Sequence, residues 1–140
     1  MHLLGHVDYF TLPTVYAQAD AYLQPSLSEP WGLAVNEAMA CGLPVVVSDR
    51  CGCREDLVRA NVNGFTFDPT NHESLVTALE RLLASRSRWP EMGRASREII
   101  AGWGLDLFAR SFWRACEAAL RPVPEGLGTH AISKVMSLVF

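Results

Sequence analysis

Short apolar runs alternate along this chain with longer amphipathic segments. That rhythm leaves little besides strand–helix–strand units built on a parallel sheet. Val45-Val46-Val47 is β-branched and bounded by Pro44 and by Ser48-Asp49, the clearest strand in the sequence. Ala21-Tyr22-Leu23, closed by Gln24-Pro25, reads as a second strand buried on both faces, and Phe65-Thr66-Phe67 follows the Asn63-Gly64 turn as a third. Leu3-Leu4 before Gly5 reads as a strand stub. The predicted fold class is α/β, a Rossmann-like parallel sheet with flanking helices.

Helices are expected between these strands. Leu12 to Ala19 places Leu12, Val15, Tyr16 and Ala19 at helical spacing. Trp31 to Cys41 forms the next, stopped by Gly42 and by Pro44 two residues on. A short helix is expected from Glu55 to Arg59. Thr70 to Glu73 reads as a capping box before Leu75, Val76, Leu79, Leu82 and Leu83. Pro90 opens a helix carrying Met92, Ala95, Ile99 and Ile100 on one face. A last helix, about 107–120, carries Phe108, Phe112 and Trp113, whose spacing predicts a core-facing stripe. Residues 122–140 show no period and read as an irregular tail. Its apolar end, Ala131 to Phe140, is too short to span a bilayer, and interfacial anchoring, docking on another domain and disorder all stay open.

Composition narrows the function. A 140-residue chain can bury one core. A net charge of −3 removes the electrostatic case for nucleic acid, so Arg81, Arg86, Arg88, Arg94 and Arg97 read as a solvated helix face. No apolar run reaches the roughly 20 residues of a membrane span, and no basic leader precedes an apolar core. The expected location is cytoplasmic, with peripheral membrane attachment open. Cys41, Cys51, Cys53 and Cys116 lack metal-site spacing and read as free thiols, and the four histidines are scattered, so no metal and no cofactor are expected.

The chemistry lies between Pro25 and Glu55. Trp31-Gly32-Leu33 starts a helix directly after a strand. This sets unpaired N–H groups and the positive end of a helix dipole at the carboxyl edge of a parallel sheet, where open α/β sheets take ligands. Gly32 lets an anion approach the backbone, which favours a phosphate or diphosphate. Glu37, one and a half turns into the helix, is placed to accept hydrogen bonds from a vicinal diol. Glu29, before Pro30, is placed on the other side of the phosphates to hold further hydroxyls. Two carboxylates flanking a diphosphate describe a nucleotide-sugar site. The bland reading stays beside it, with Glu29 merely favoured by the dipole and Glu37 a solvated helix residue. Trp31 either stacks under a donor ring or seals the loop.

These residues also resemble a family. Ser26-x-x-Glu29-Pro30-Trp31-Gly32-Leu33 with Glu37-Ala38-Met39-Ala40-Cys41-Gly42-Leu43-Pro44-Val45-Val46 resembles the E-x7-E segment of GT-B retaining glycosyltransferases of family 4, the Glycos_transf_1 domain. Gly5 with the segment from Leu12 to Asp20, Ser48-Asp49-x-x-Gly52-x-x-Glu55, Asn63-Gly64-Phe65 and Asp68-Pro69 extend the likeness in order over about residues 3–120. The resemblance implies a partial C-terminal, donor-binding domain over residues 1–121. Glu29 would hold hydroxyls of the donor sugar, and the stretch Pro30, Trp31, Gly32 and Leu33 would cradle diphosphate and sugar. Glu37 would hold the ribose. It implies metal-independent hexosyl transfer from a nucleoside-diphosphate sugar to a carbohydrate or lipid-linked acceptor with retention. The leaving diphosphate would help to deprotonate the acceptor, so Glu29 and Glu37 act by positioning and electrostatics. Cys51 stands where the family often has glycine, which bears on the local turn. The family's Arg/Lys pair and its N-terminal acceptor domain are expected to be missing from this chain, which predicts weak donor binding and little turnover. The alternative is a non-catalytic nucleotide-sugar-binding or assembly module.

Overall fold

The computed structural model describes residues 3–121, and the chain divides into two compact units, the first ending at Ala101 and the second beginning at Gly102. The expected tail at 122–140 lies outside the described residues. In the first unit, α1 (Leu12–Tyr16), β1 (Tyr22–Gln24), α2 (Leu33–Ala40), β2 (Val45–Ser48), α3 (Arg54–Leu57), β3 (Gly64–Phe67), α4 (His72–Ala84) and α5 (Trp89–Ala101) follow in order. A single 3-10 turn, Arg86–Arg88, joins the last two.

The three strands form one parallel sheet in the order β1-β2-β3. Tyr22 pairs with Val45 and Gln24 with Val47, while Val45 pairs with Gly64 and Ser48 with Phe67. The β-branched run takes the centre because only there are both of its faces covered. All of Val45 to Ser48 is buried. The strand period of two then divides the core. Val45 and Val47 pack with Val35, Ala38, Met39 and Leu57 on one side. Val46 packs with Phe65, Phe67, Ala78, Leu82 and Met92 on the other.

Several expectations are corrected. Leu3 and Leu4 form no strand and are exposed. Among the described residues β1 pairs with β2 alone, and Leu23 is 38% exposed rather than buried, so one face of the strand lacks full cover. The cap of α4 is Asn71, not Thr70. Asn71 sits in extended backbone and its side chain accepts from the Ser74 N–H, while Asp68 captures both the N–H and the hydroxyl of Thr70. α2 starts at Leu33 rather than Trp31, and the Glu55–Arg59 segment is helical over Arg54–Leu57.

The second unit contains α6, Leu105–Ala119. The stripe expected to face a core is exposed, with Phe108 at 68%, Phe112 at 61% and Trp113 at 66%. Helical spacing gathers apolar side chains on one face but does not supply a partner for it. Phe108 and Phe112 stack on each other at 6.1 Å, and the Trp113 indole donates to Glu117. None of the helices among the described residues is long and apolar enough to cross a membrane.

Candidate functional site

The carboxyl ends of the strands release two loops that carry the predicted residues. The loop after β1 holds Glu29, Pro30, Trp31 and Gly32, and the loop after β2 holds Arg50, Cys51 and Gly52. Backbone bonds join the two loops. Glu29 N–H donates to the Arg50 carbonyl at 3.1 Å, Gly52 N–H to the Glu29 carbonyl at 2.9 Å and Cys53 N–H to the Trp31 carbonyl at 3.1 Å. Glu29 and Cys51 form an isolated parallel bridge, which extends the β1–β2 relationship past the strand ends. The crossing is close enough that a Cβ on residue 52 would lie 2.0 Å from the Pro30 carbonyl oxygen, so glycine is required there. The turn accommodates Cys51 because residue 52 carries the steric demand.

Gly32 occupies the N-cap of α2 with φ of 103°, a left-handed conformation that L side chains rarely adopt. This swings the chain from the Glu29 loop into the helix and presents the first N–H groups of α2 at the sheet edge. Glu29 stays on the loop, where one carboxylate oxygen accepts from the Trp31 N–H at 3.3 Å. Trp31 packs against the core, and its indole N–H donates to Asn36 at 3.1 Å, a geometry that anchors the loop. Leu33 is exposed at the first helical position. Glu37 lies four residues on, about 6 Å further along the axis and on the same face. Glu29 thus lies on the loop that precedes α2, and Glu37 lies within the helix.

Sequence reading missed what Glu37 touches. The Tyr16 hydroxyl, at the end of α1, donates to Glu37 Oε2 at 3.0 Å. Tyr16 marks only an apolar helical position in the sequence, and 21 residues separate it from Glu37, so no local pattern announces the pair. Burial above all, then the Glu37 carboxylate, pushes the Tyr16 hydroxyl well above the usual phenol range, and it stays protonated. The two residues line a cleft of about 280 Å³ with Tyr9, Phe10, Pro13 and Cys41.

Around the loops the titration is one-sided. Burial, with a smaller contribution from Cys51, raises the Cys53 thiol to about 11, and burial followed by Glu29 raises Cys51. Both thiols are therefore neutral at physiological pH and act as packing groups. All four cysteines are free. Among the described residues no group of three or more His, Cys, Asp or Glu comes together. The basic stretch is spent locally: Arg81 lies over the Phe65 ring and bonds Asn61, and Arg97 donates to the Cys41 carbonyl.

Comparison with known proteins assigns the family. The family model of glycosyl transferases group 1 matches residues 1–99. The chain belongs to this family. As a group 1 glycosyl transferase domain it is 41% identical over 113 residues to the sulfoquinovosyl transferase of Arabidopsis thaliana, covering 79% of this chain and 20% of that protein. Among solved structures it resembles the sucrose-phosphate synthase of Thermosynechococcus elongatus with a TM-score of 0.69 and 29% identity, covering 83% of this chain and 30% of that one. It also resembles the Anabaena HepE protein, solved in complex with UDP-glucose, with a TM-score of 0.58 and 27% identity over 65% of this chain and 25% of that one. The GT-B fold expected from the motifs is the fold of these neighbours. The group 1 domain thus spans about a fifth of its curated relative and less than a third of either solved neighbour.

Proposed function

We propose that this chain is the donor-binding part of a glycosyltransferase that moves a hexosyl group from a nucleoside-diphosphate sugar to a carbohydrate or lipid-linked acceptor, with retention in the manner of family 4. The observation that carries this reading is the left-handed Gly32 cap between Glu29 and Glu37 at the carboxyl edge of the sheet. The N–H groups opening α2 supply donors and a dipole for the diphosphate. Glu29 takes hydroxyls of the sugar and Glu37 takes the ribose diol. The backbone of Pro30, Trp31, Gly32 and Leu33 forms the wall between them. The chemical contribution is orientation of the donor and stabilisation of the departing diphosphate. The HepE structures with UDP and UDP-glucose support a nucleotide sugar as the ligand class.

Calorimetric titration with UDP, ADP and UDP-glucose tests the reading. Wild-type chain is expected to bind a nucleoside diphosphate weakly, with Glu37→Ala reducing affinity about tenfold or more for the loss of charged hydrogen bonds. Glu29→Ala is expected to weaken UDP-glucose while leaving UDP unchanged. Equal heats for wild type and Glu37→Ala, or no binding of either diphosphate, overturn it.

A further inference from the structure

We infer that Tyr16 is a positioning residue for the donor: its hydroxyl, 3.0 Å from Glu37 Oε2, fixes the carboxylate so that its other oxygen faces the ribose diol. This rests on the assignment of Glu37 to the ribose.

The geometry gives the hydroxyl a specific task. Glu37 sits midway along α2, partly buried, and has three side-chain torsions, so an unrestrained carboxylate would sample several rotamers. One donor on Oε2 removes most of that freedom. Among the described residues no other donor contacts either carboxylate oxygen, so Oε1 remains available as an acceptor. A carboxylate has acceptor capacity to spare, so a bond from Tyr16 does not exhaust it. Tyr16 is itself held from elsewhere. Its ring meets Tyr22 edge-on at 6.0 Å and packs against the cluster formed by Val35, Met39 and Val45. Tyr22 belongs to β1, so the ring that aims Glu37 is braced by the sheet edge and not by α1 alone. The phenol stays protonated across neutral pH and remains a donor.

Tyr16→Phe removes the hydroxyl and keeps the ring. The experiment compares two ligands, the tighter of UDP and ADP and its 2′,3′-dideoxy analogue, against wild type and Tyr16→Phe by calorimetry, with thermal melting alongside. Wild type is expected to prefer the hydroxylated ligand. Tyr16→Phe is expected to lose about five- to tenfold in affinity for it, with the dideoxy analogue unchanged. A purely structural tyrosine would lower the melting temperature and leave the ratio between the two ligands as in wild type, and that result overturns the inference. If wild type itself does not discriminate between the ligands, the assignment of Glu37 fails, and the role of Tyr16 with it.

Discussion

Asn63 shows how one buried side chain holds a turn that the sequence marks only by its neighbour Gly64. Its amide oxygen accepts from the Arg59 N–H at 2.7 Å and its amide nitrogen donates to the Leu57 carbonyl at 2.9 Å, with no part of the residue exposed. Asn63→Ala would leave the buried Leu57 carbonyl and the partly buried Arg59 N–H unpaired and is expected to cost about 2–3 kcal/mol, checked by urea denaturation. Asn63→Asp keeps the acceptor but sets a carboxylate oxygen against the Leu57 carbonyl in a fully buried site, and is expected to cost at least as much at neutral pH. At this scale the sequence was informative about turn residues, because glycine conformation is a local property. Gly42 in its left-handed conformation after α2 follows from residue type alone. Thr70 misled because capping is a competition: Asp68 reached the Thr70 donors first, a contest that spacing cannot score. The Tyr16–Glu37 contact was invisible for a different reason, since it joins two helices through space.

At the level of elements, α2 and α5 are joined by a bond that no periodicity foretells. Ser96, buried on α5, donates its hydroxyl to the Leu43 carbonyl at 2.7 Å, just beyond the end of α2. Ser96→Ala leaves that carbonyl unpaired in a dry contact and is expected to lower stability by about 1–2 kcal/mol, read from the chemical denaturation midpoint at unchanged slope. Strand and helix identities were legible wherever composition was extreme, as in Val45-Val46-Val47. They were less legible where burial decided the outcome. β1 carries apolar residues yet lacks full cover on one face, and α6 carries an aromatic stripe that is exposed. Hydrophobic pattern reports a face that favours cover, and the cover itself comes from other elements.

For the molecule as a whole, burial sets the response to alkali. Cys53 is raised from 9.0 to about 11 and Tyr22 from 10.0 to about 12, in both cases by burial first. Folded values above unfolded ones mean that the fold favours the protonated forms. Their contribution to stability is full below about pH 9 and is lost as pH climbs through 11 and 12. Thermal melting is therefore expected to be flat from pH 7 to 9 and to fall steadily above it, and Cys53→Ala should shallow the first part of that decline. An unchanged melting temperature at pH 11 contradicts this. The joined loops beyond β1 and β2 carry a different consequence. Because Glu29, Gly52 and Cys53 are already tied by backbone bonds, the turn proposed to face the donor arrives at any encounter in its final shape. A ligand that docks there spends little of its attraction on arresting a mobile chain, and discrimination between ligands falls to fit rather than to rearrangement.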